Sequence, residues 1–250
     1  MITSLTSLKL SHILFLDIET VPLYSSYKQL SPLEQNLWED KTRYIRQDVS
    51  AEDYYERAGI WAEFGKIVCI SVGYFLLKNE KRQFRVRSFT GEERNILQEF
   101  SHLISQFFNG KQYLLAAHNG REFDFPFIAR RMLIHQLPIP NILQLFGKKP
   151  WEFAFLDTLD LWKFGDYKHY TSLNLLAYIL GVPSPKDDIS GAQVRQVYYE
   201  EGDIARIAQY CQKDTITVAQ ILLRMRGEPL LTDEEIYVIE TDKNSKYLPY

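Results

Sequence analysis

The stretch Ile13-Leu-Phe-Leu-Asp-Ile-Glu-Thr20 decides the reading of the fold. Four bulky apolar residues in a row read as a central strand buried on both faces. The run then meets Asp17 and Glu19, two positions apart, and on a strand that spacing puts both side chains on one face. Open α/β sheets place their ligands at the carboxyl ends of strands. Two carboxylates there repel each other and lose hydration, so protonation, a basic partner or a metal must neutralise them. The alternative is a strand end that emerges into solvent, where acids cost little.

Working outward, Ile67-Val-Cys-Ile-Ser-Val-Gly-Tyr-Phe75 reads as a second strand, with a turn at 78–81. Phe84 and Val86 alternate with Arg85 and Arg87 as a half-exposed third strand. Thr90 followed by Glu93 predicts a capping box opening a helix whose apolar positions run from Ile96 to Phe108. Tyr113–Ala117 reads as a fourth strand that enters His118-Asn119-Gly120, with a helix from about Pro126. Phe153–Leu159 reads as a fifth strand and Leu173–Leu180 as a short helix. The last helix is predicted over Asp203–Met225, its core stripe including Ile207, Cys211, Thr215, Val218 and Leu222. Strands first, then strands alternating with helices, predict one α/β domain over 1–250 with a mixed central sheet flanked by helices. Residues 28–64 are expected to be a helical insertion and 227–250 a C-terminal extension.

Composition limits the function classes. The chain has 250 residues, 46% hydrophobic and 24% charged, the balance of a folded globular protein. A formal net charge of −3 excludes a strongly basic chain that coats nucleic acid by bulk charge. Two cysteines, Cys69 and Cys211, cannot build a disulfide framework or a four-thiolate zinc site, and read as small core residues. No apolar run approaches the length needed to span a bilayer, and the first ten residues lack a signal-peptide layout. The expectation is a cytoplasmic protein with no membrane partner.

Two further elements join the Asp-x-Glu pair. The first is His118-Asn-Gly-Arg-Glu-Phe-Asp-Phe-Pro126, where Asp124 falls just before a predicted helix. An aspartate there can simply cap the helix, yet such loops lie at the same sheet edge as Asp17 and Glu19. Phe123 and Phe125 are either core anchors or stacking surfaces for bases. The second is Tyr210-Cys-Gln-Lys-Asp214, whose spacing of four stacks the phenol and the carboxylate on one helix face. A half-buried tyrosine beside a surface aspartate is the plainer alternative. Taken together, four carboxylates from three elements form a hard-oxygen set suited to Mg²⁺ or Mn²⁺. Two such ions can activate water and stabilise the leaving oxygen of a phosphodiester. The sequence carries no Walker loop, dinucleotide glycine pattern or other nucleophile motif.

Asp17-Ile-Glu19, Asn119 with Phe123-Asp124, and Tyr210 with Asp214 resemble the three motifs of the DEDD superfamily, the ribonuclease H-like 3′→5′ exonucleases. The tyrosine is similar to that of the DEDDy subgroup; where the histidine subgroup has its histidine, this chain has Gln209. The segments Leu156–Trp162, Ser172–Leu176 and Gly181–Val194 resemble the proofreading domain of family-B DNA polymerases in free-standing form.

The resemblance implies a ribonuclease H-like fold and catalytic roles for Asp17, Glu19, Asp124, Tyr210 and Asp214. The four carboxylates would hold two Mg²⁺ or Mn²⁺ ions, with Asp17 bridging them and Tyr210 orienting the attacking water. The implied substrate is the 3′ end of single-stranded or frayed DNA, with nucleoside 5′-monophosphates as products. Thr20 and Asn119, beside motif carboxylates, are expected to contact the terminal nucleotide, and Phe123 or Phe125 to stack on bases. Lys163, Lys168 and His169 are candidates for phosphate contacts, against the plainer reading of solvated surface charge. An RNA 3′→5′ exonuclease of the same class, and a non-catalytic binding scaffold on the same fold, are the alternatives carried forward.

Overall fold

A computed structural model describes residues 4–79, 81–183 and 189–239. The chain builds a six-stranded mixed sheet in the order β5-β4-β1-β2-β3-β6. β1 (Ile13–Pro22) is central; it runs antiparallel to β2 (Gly65–Lys78). β3 (Lys81–Thr90) continues the meander. Between β1 and β2 lie α1 (Pro32–Thr42) and α2 (Ala51–Tyr54). They carry a small aromatic core of their own around Trp38, whose indole N–H donates to the Ala51 carbonyl at 2.8 Å. This unit sits close against the sheet, because a Cβ on Gly65 would lie 2.8 Å from the Gly59 carbonyl oxygen.

After β3 come α3 (Glu93–Phe107), β4 (Leu114–Ala117) and α4 (Asp124–Ile134). β5 (Phe155–Asp157) leads directly into α5 (Thr158–Lys163), followed by α6 (Leu173–Ile179). α7 (Val194–Gln196) runs into a π turn, Val197–Glu201, and α8 (Ile204–Met225) is the longest helix. β6 (Ile236–Val238) adds a parallel edge strand to β3. The Gly181–Val194 resemblance and the C-terminal extension extend beyond what is described, since 184–188 and 240–250 lie outside the described residues.

The alternation of β1 sorts its side chains into two cores. Leu14, Leu16 and Ile18 pack with Ile96, Leu97 and Phe100 of α3 and Ile128 of α4. Ile13 and Phe15 face Val218 and Leu222 of α8, while Val21 shares a cluster with Ile207 and Cys211. Asp17 and Glu19 therefore lie on the α8 face, between two apolar clusters. The sheet is mixed and flanked by helices, as predicted.

Three local expectations need correction. Thr90 does not cap α3: it is the last residue of β3, and the cap is Glu92, whose carboxylate accepts from the Asn95 amide. Glu93 is no capping-box partner. It is buried in a bidentate pair with Arg131, bonds His135, and accepts from the Ile67 amide at 2.7 Å. Burial without water makes those long-range partners worth more than a local cap. The fifth strand is shorter than Phe153–Leu159, because Asp157 caps α5 by accepting from the Leu159 amide.

Candidate active site

β4 pairs with β1 only from Ile13 to Phe15. Beyond that point the β4 side of β1 is open, and Asp124 fills it: its Oδ1 accepts from the Ile18 amide at 3.2 Å. Asp124 is the first residue of α4 and buried; the N-cap is Phe123, so the plainer alternative of a simple capping aspartate does not hold. Across β1, the register with β2 slips between Glu19, opposite Cys69, and Thr20, opposite Ile67. Such bulges re-aim side chains beside functional sites.

α8 covers this end of the sheet. The Cys211 thiol donates to the Asp17 carbonyl at 3.3 Å, and the Thr215 hydroxyl donates to the carbonyls of Cys211 and Ser71. These bonds hold α8 in register, one turn of which presents Tyr210 and Asp214. The Tyr210 phenol donates a hydrogen bond to the Asp214 carboxylate. One ligand atom from each of Asp17, Glu19 and Cys211 lies within 4.8 Å of the other two.

The electrostatics of the cluster are strained. Burial, then repulsion from Glu19, Asp214 and Asp124, holds the Asp17 carboxyl well above the usual carboxylate range. Burial, Asp214, Cys69 and Asp124 all push Glu19 in the same direction. Asp124 rises to about 8, chiefly through burial; its backbone hydrogen bonds oppose this, while Asp157 and Asp214 add to it. Burial and the same carboxylates keep the Tyr210 phenol protonated far above its ordinary range. Asp17 Oδ2 is buried with no hydrogen-bond partner. An orphaned oxygen among mutually repelling carboxylates fits a divalent cation of the Mg²⁺ or Mn²⁺ class, which takes oxygen ligands.

The sequence reading missed Cys211 as part of this cluster and Asp157 as its support. Asp157 is buried and accepts from the amides of Asn119 (2.9 Å) and Arg121 (3.0 Å), so it shapes the turn leading to Asp124. Asn119 adopts a left-handed conformation (φ 60°) in that turn. His118 braces it further, through Thr158 Oγ1 at 2.9 Å and the Thr171 carbonyl at 2.8 Å. The signal for Asp157 was an aspartate followed by a helical pattern, obscured by the preceding strand. Thr20 and Asn119 are half-buried. Phe125 is not a base-stacking surface: it is 1% exposed and stacks on Phe155 with centroids 4.3 Å apart. Phe123 is half-buried and packs on Phe127 at 5.4 Å.

Residues 60–249 match the family described as "predicted 3′-5′ exonuclease related to the exonuclease domain of PolB". The match spans most of the chain, and the protein belongs to that family. It includes Asp124, Tyr210 and Asp214; Asp17 and Glu19, on β1, precede it. Among solved structures, the family B DNA polymerase of the hyperthermophilic archaeon Pyrobaculum calidifontis aligns with a TM-score of 0.48 at 16% identity. That alignment covers 84% of this chain and 24% of the polymerase, so the chain corresponds to about a quarter of its length. No curated protein matches the chain. The mixed sheet with helices on both faces accords with a ribonuclease H-like exonuclease fold. Among the described residues, no helix is long and apolar enough to cross a membrane.

Proposed function

We propose that this chain is a free-standing, divalent-metal-dependent 3′→5′ exonuclease of the DEDDy type, acting on the 3′ end of single-stranded or frayed DNA. The observation that carries the reading is the orphaned Asp17 Oδ2 within a cluster of mutually repelling carboxylates. Asp17, Glu19, Asp124 and Asp214 would hold two Mg²⁺ or Mn²⁺ ions. When bound, such ions neutralise the carboxylates, favour water as a nucleophile near neutral pH and offset charge on the leaving oxygen. Water adds to phosphorus, the P–O3′ bond breaks, and the proton passes to the leaving 3′ oxygen or solvent. The products are a nucleoside 5′-monophosphate and a strand one residue shorter.

Burial and the neighbouring carboxylates favour the neutral Tyr210 phenol, so the part proposed for it is to orient water and hold Asp214 by hydrogen bonding. Thr20 and Asn119, neighbours of the motif carboxylates in the sequence, would contact the terminal nucleotide. Asp157 and His118 act through the turn that carries Asn119. The whole of 1–250 is read as one exonuclease domain, with 28–64 as its helical insertion and 227–250 as an extension.

The test is incubation of matched 5′-labelled and 3′-labelled DNA and RNA strands with Mg²⁺ or Mn²⁺. A DNA ladder from the 5′ label and immediate release of the 3′-labelled mononucleotide support the proposal. Shortening of RNA alone transfers the activity to RNA, and intact strands with folded protein and metal present refute it.

A further inference from the structure

Between α5 and α6 the chain runs Phe164-Gly-Asp-Tyr-Lys-His-Tyr170 with every residue exposed. Three of these side chains are large aromatics: Phe164 is 93% exposed, Tyr167 81% and Tyr170 66%. Scattered apolar residues on a surface need no explanation, but three rings on seven residues do. Phe164 also adopts a left-handed conformation (φ 45°) that costs a bulky residue and suits glycine. Packing within the fold does not repay that cost, since the ring stands in solvent.

The segment is nevertheless tethered. The Asp166 amide donates to the Lys163 carbonyl at 2.7 Å, and the Lys168 amide donates to Asp166 Oδ1 at 3.0 Å. At its far end the Thr171 carbonyl bonds His118, which belongs to the turn before Asp124. Tyr170, next to Thr171, is therefore carried beside the turn that leads to Asp124. Tyr167 rims a cleft of about 410 Å³ whose wall includes Phe153, Phe155, Arg121 and Lys163. Rings alternate here with Lys168 and His169, the pattern that suits a base-bearing polyanion.

We propose that residues 164–170 form a base-stacking track for the single-stranded segment leading into the candidate active site, with Phe164, Tyr167 and Tyr170 offering ring faces to bases. The inference rests on the exonuclease reading for its direction, and extends it by assigning the strand's path and its mode of recognition. Because Lys163 and Arg121 already share Asp160, stacking rather than charge supplies most of the affinity. Every base has a π-face, so the track tolerates any sequence. Binding weakens only gently with salt, because few phosphates are neutralised.

The test is fluorescence anisotropy in EDTA, where no strand is cut, with a labelled oligothymidylate and an abasic strand of equal length. The wild-type chain is expected to bind the base-bearing strand more tightly. Phe164→Ala and Tyr167→Ala should each weaken it about tenfold and leave the abasic strand unchanged. Tyr167→Phe, which keeps the ring, should restore wild-type affinity. Phe164→Leu and Tyr167→Leu repeat the test with apolar bulk retained, and melting curves check that each variant folds. Equal affinity of the wild type for both strands, or ring-free variants that bind as wild type, would overturn the track. Adding Mg²⁺ separates the two readings. A strand that stays intact while the ring variants lose affinity defeats the nuclease and leaves the track standing. A strand that is shortened while those variants bind normally does the reverse.

Discussion

The Asp124 carboxylate accepts a hydrogen bond from the Ile18 amide at 3.2 Å, which docks the start of α4 between the two acids of β1. The same side chain is thus both a structural clasp and a member of the carboxylate cluster. Asp124→Asn retains the acceptor oxygen for Ile18 and removes one charge. Strand shortening should fall by at least about 100–1000-fold, the scale for losing one preorganised charge-stabilising group. Above about pH 8, where Asp124 is ionised, melting without metal should hold or rise, because repulsion is relieved. Gel kinetics and melting curves on the same sample check both halves.

Metal and pH act on stability through the same carboxylates. Asp17, Glu19 and Asp124 have folded-state affinities for protons above their unfolded ones, Asp124 near 8. Between the unfolded and folded values the native state binds more protons, so the metal-free protein loses stability as pH rises through that window. A cation that replaces those protons counters the loss. The gain in Tm on adding Mg²⁺ should therefore be larger at about pH 8.5 than at about pH 6. At a hundredfold excess over its dissociation constant the ion contributes about 2.7 kcal/mol, or roughly 5–10 °C. A gain that shrinks with rising pH would place the ion elsewhere.

Tyr210→Phe removes the hydrogen bond to Asp214 and the group proposed to orient water. The rate should drop about 10–100-fold, the worth of one hydrogen bond to a charged partner, without disappearing. The pH–rate profile should keep its shape, because a phenol held protonated contributes no limb in the working range. Loss of an alkaline limb in the variant would make Tyr210 a titrating base.

The Glu93–Arg131 pair ties α3 to α4, and Arg131 also donates to the Ala62 carbonyl at 2.9 Å. Arg131→Ala leaves Glu93 buried with only His135 and the Ile67 amide as partners, which should cost about 3–5 kcal/mol in urea unfolding. Burial alone would raise the Glu93 carboxyl, but Arg131, His135 and the Ile67 amide bring it below its ordinary value. Its contribution is complete above the unfolded value and vanishes as pH falls through the folded one. The wild type should therefore lose more stability on acidification than Arg131→Ala does.

What was legible in the sequence was what local periodicity encodes. Ile13–Leu16 gave a buried strand, and Asp203 with the stripe from Ile207 to Leu222 gave α8 almost to the residue. The three acidic motifs could be named from their residue types and spacing, although only Asp124 sits at an element end: Asp17 and Glu19 lie within β1, and Tyr210 and Asp214 within α8. What stayed hidden was partner choice across the chain. Nothing near Glu93 announces Arg131, 38 positions on, so a capping box was the natural expectation. Nothing near Asp124 shows that the β4 pairing stops at Phe15 and leaves the Ile18 amide open to it. Phe125, next to a polar loop, looked available to bases until the fold brought Phe155 against it. Asp157 was obscured because a three-residue strand leaves no room to separate its signal from the helix cap that follows.

The central claim is that Asp17, Glu19, Asp124 and Asp214 hold divalent cations. The most direct measurement is a Mn²⁺ titration of the folded protein, counting bound ions by their paramagnetic signal, beside Asp17→Asn and Asp214→Asn. The account predicts two ions on the wild type and weaker or fewer on either variant. A wild type that binds none, or variants that bind as it does, would contradict the account.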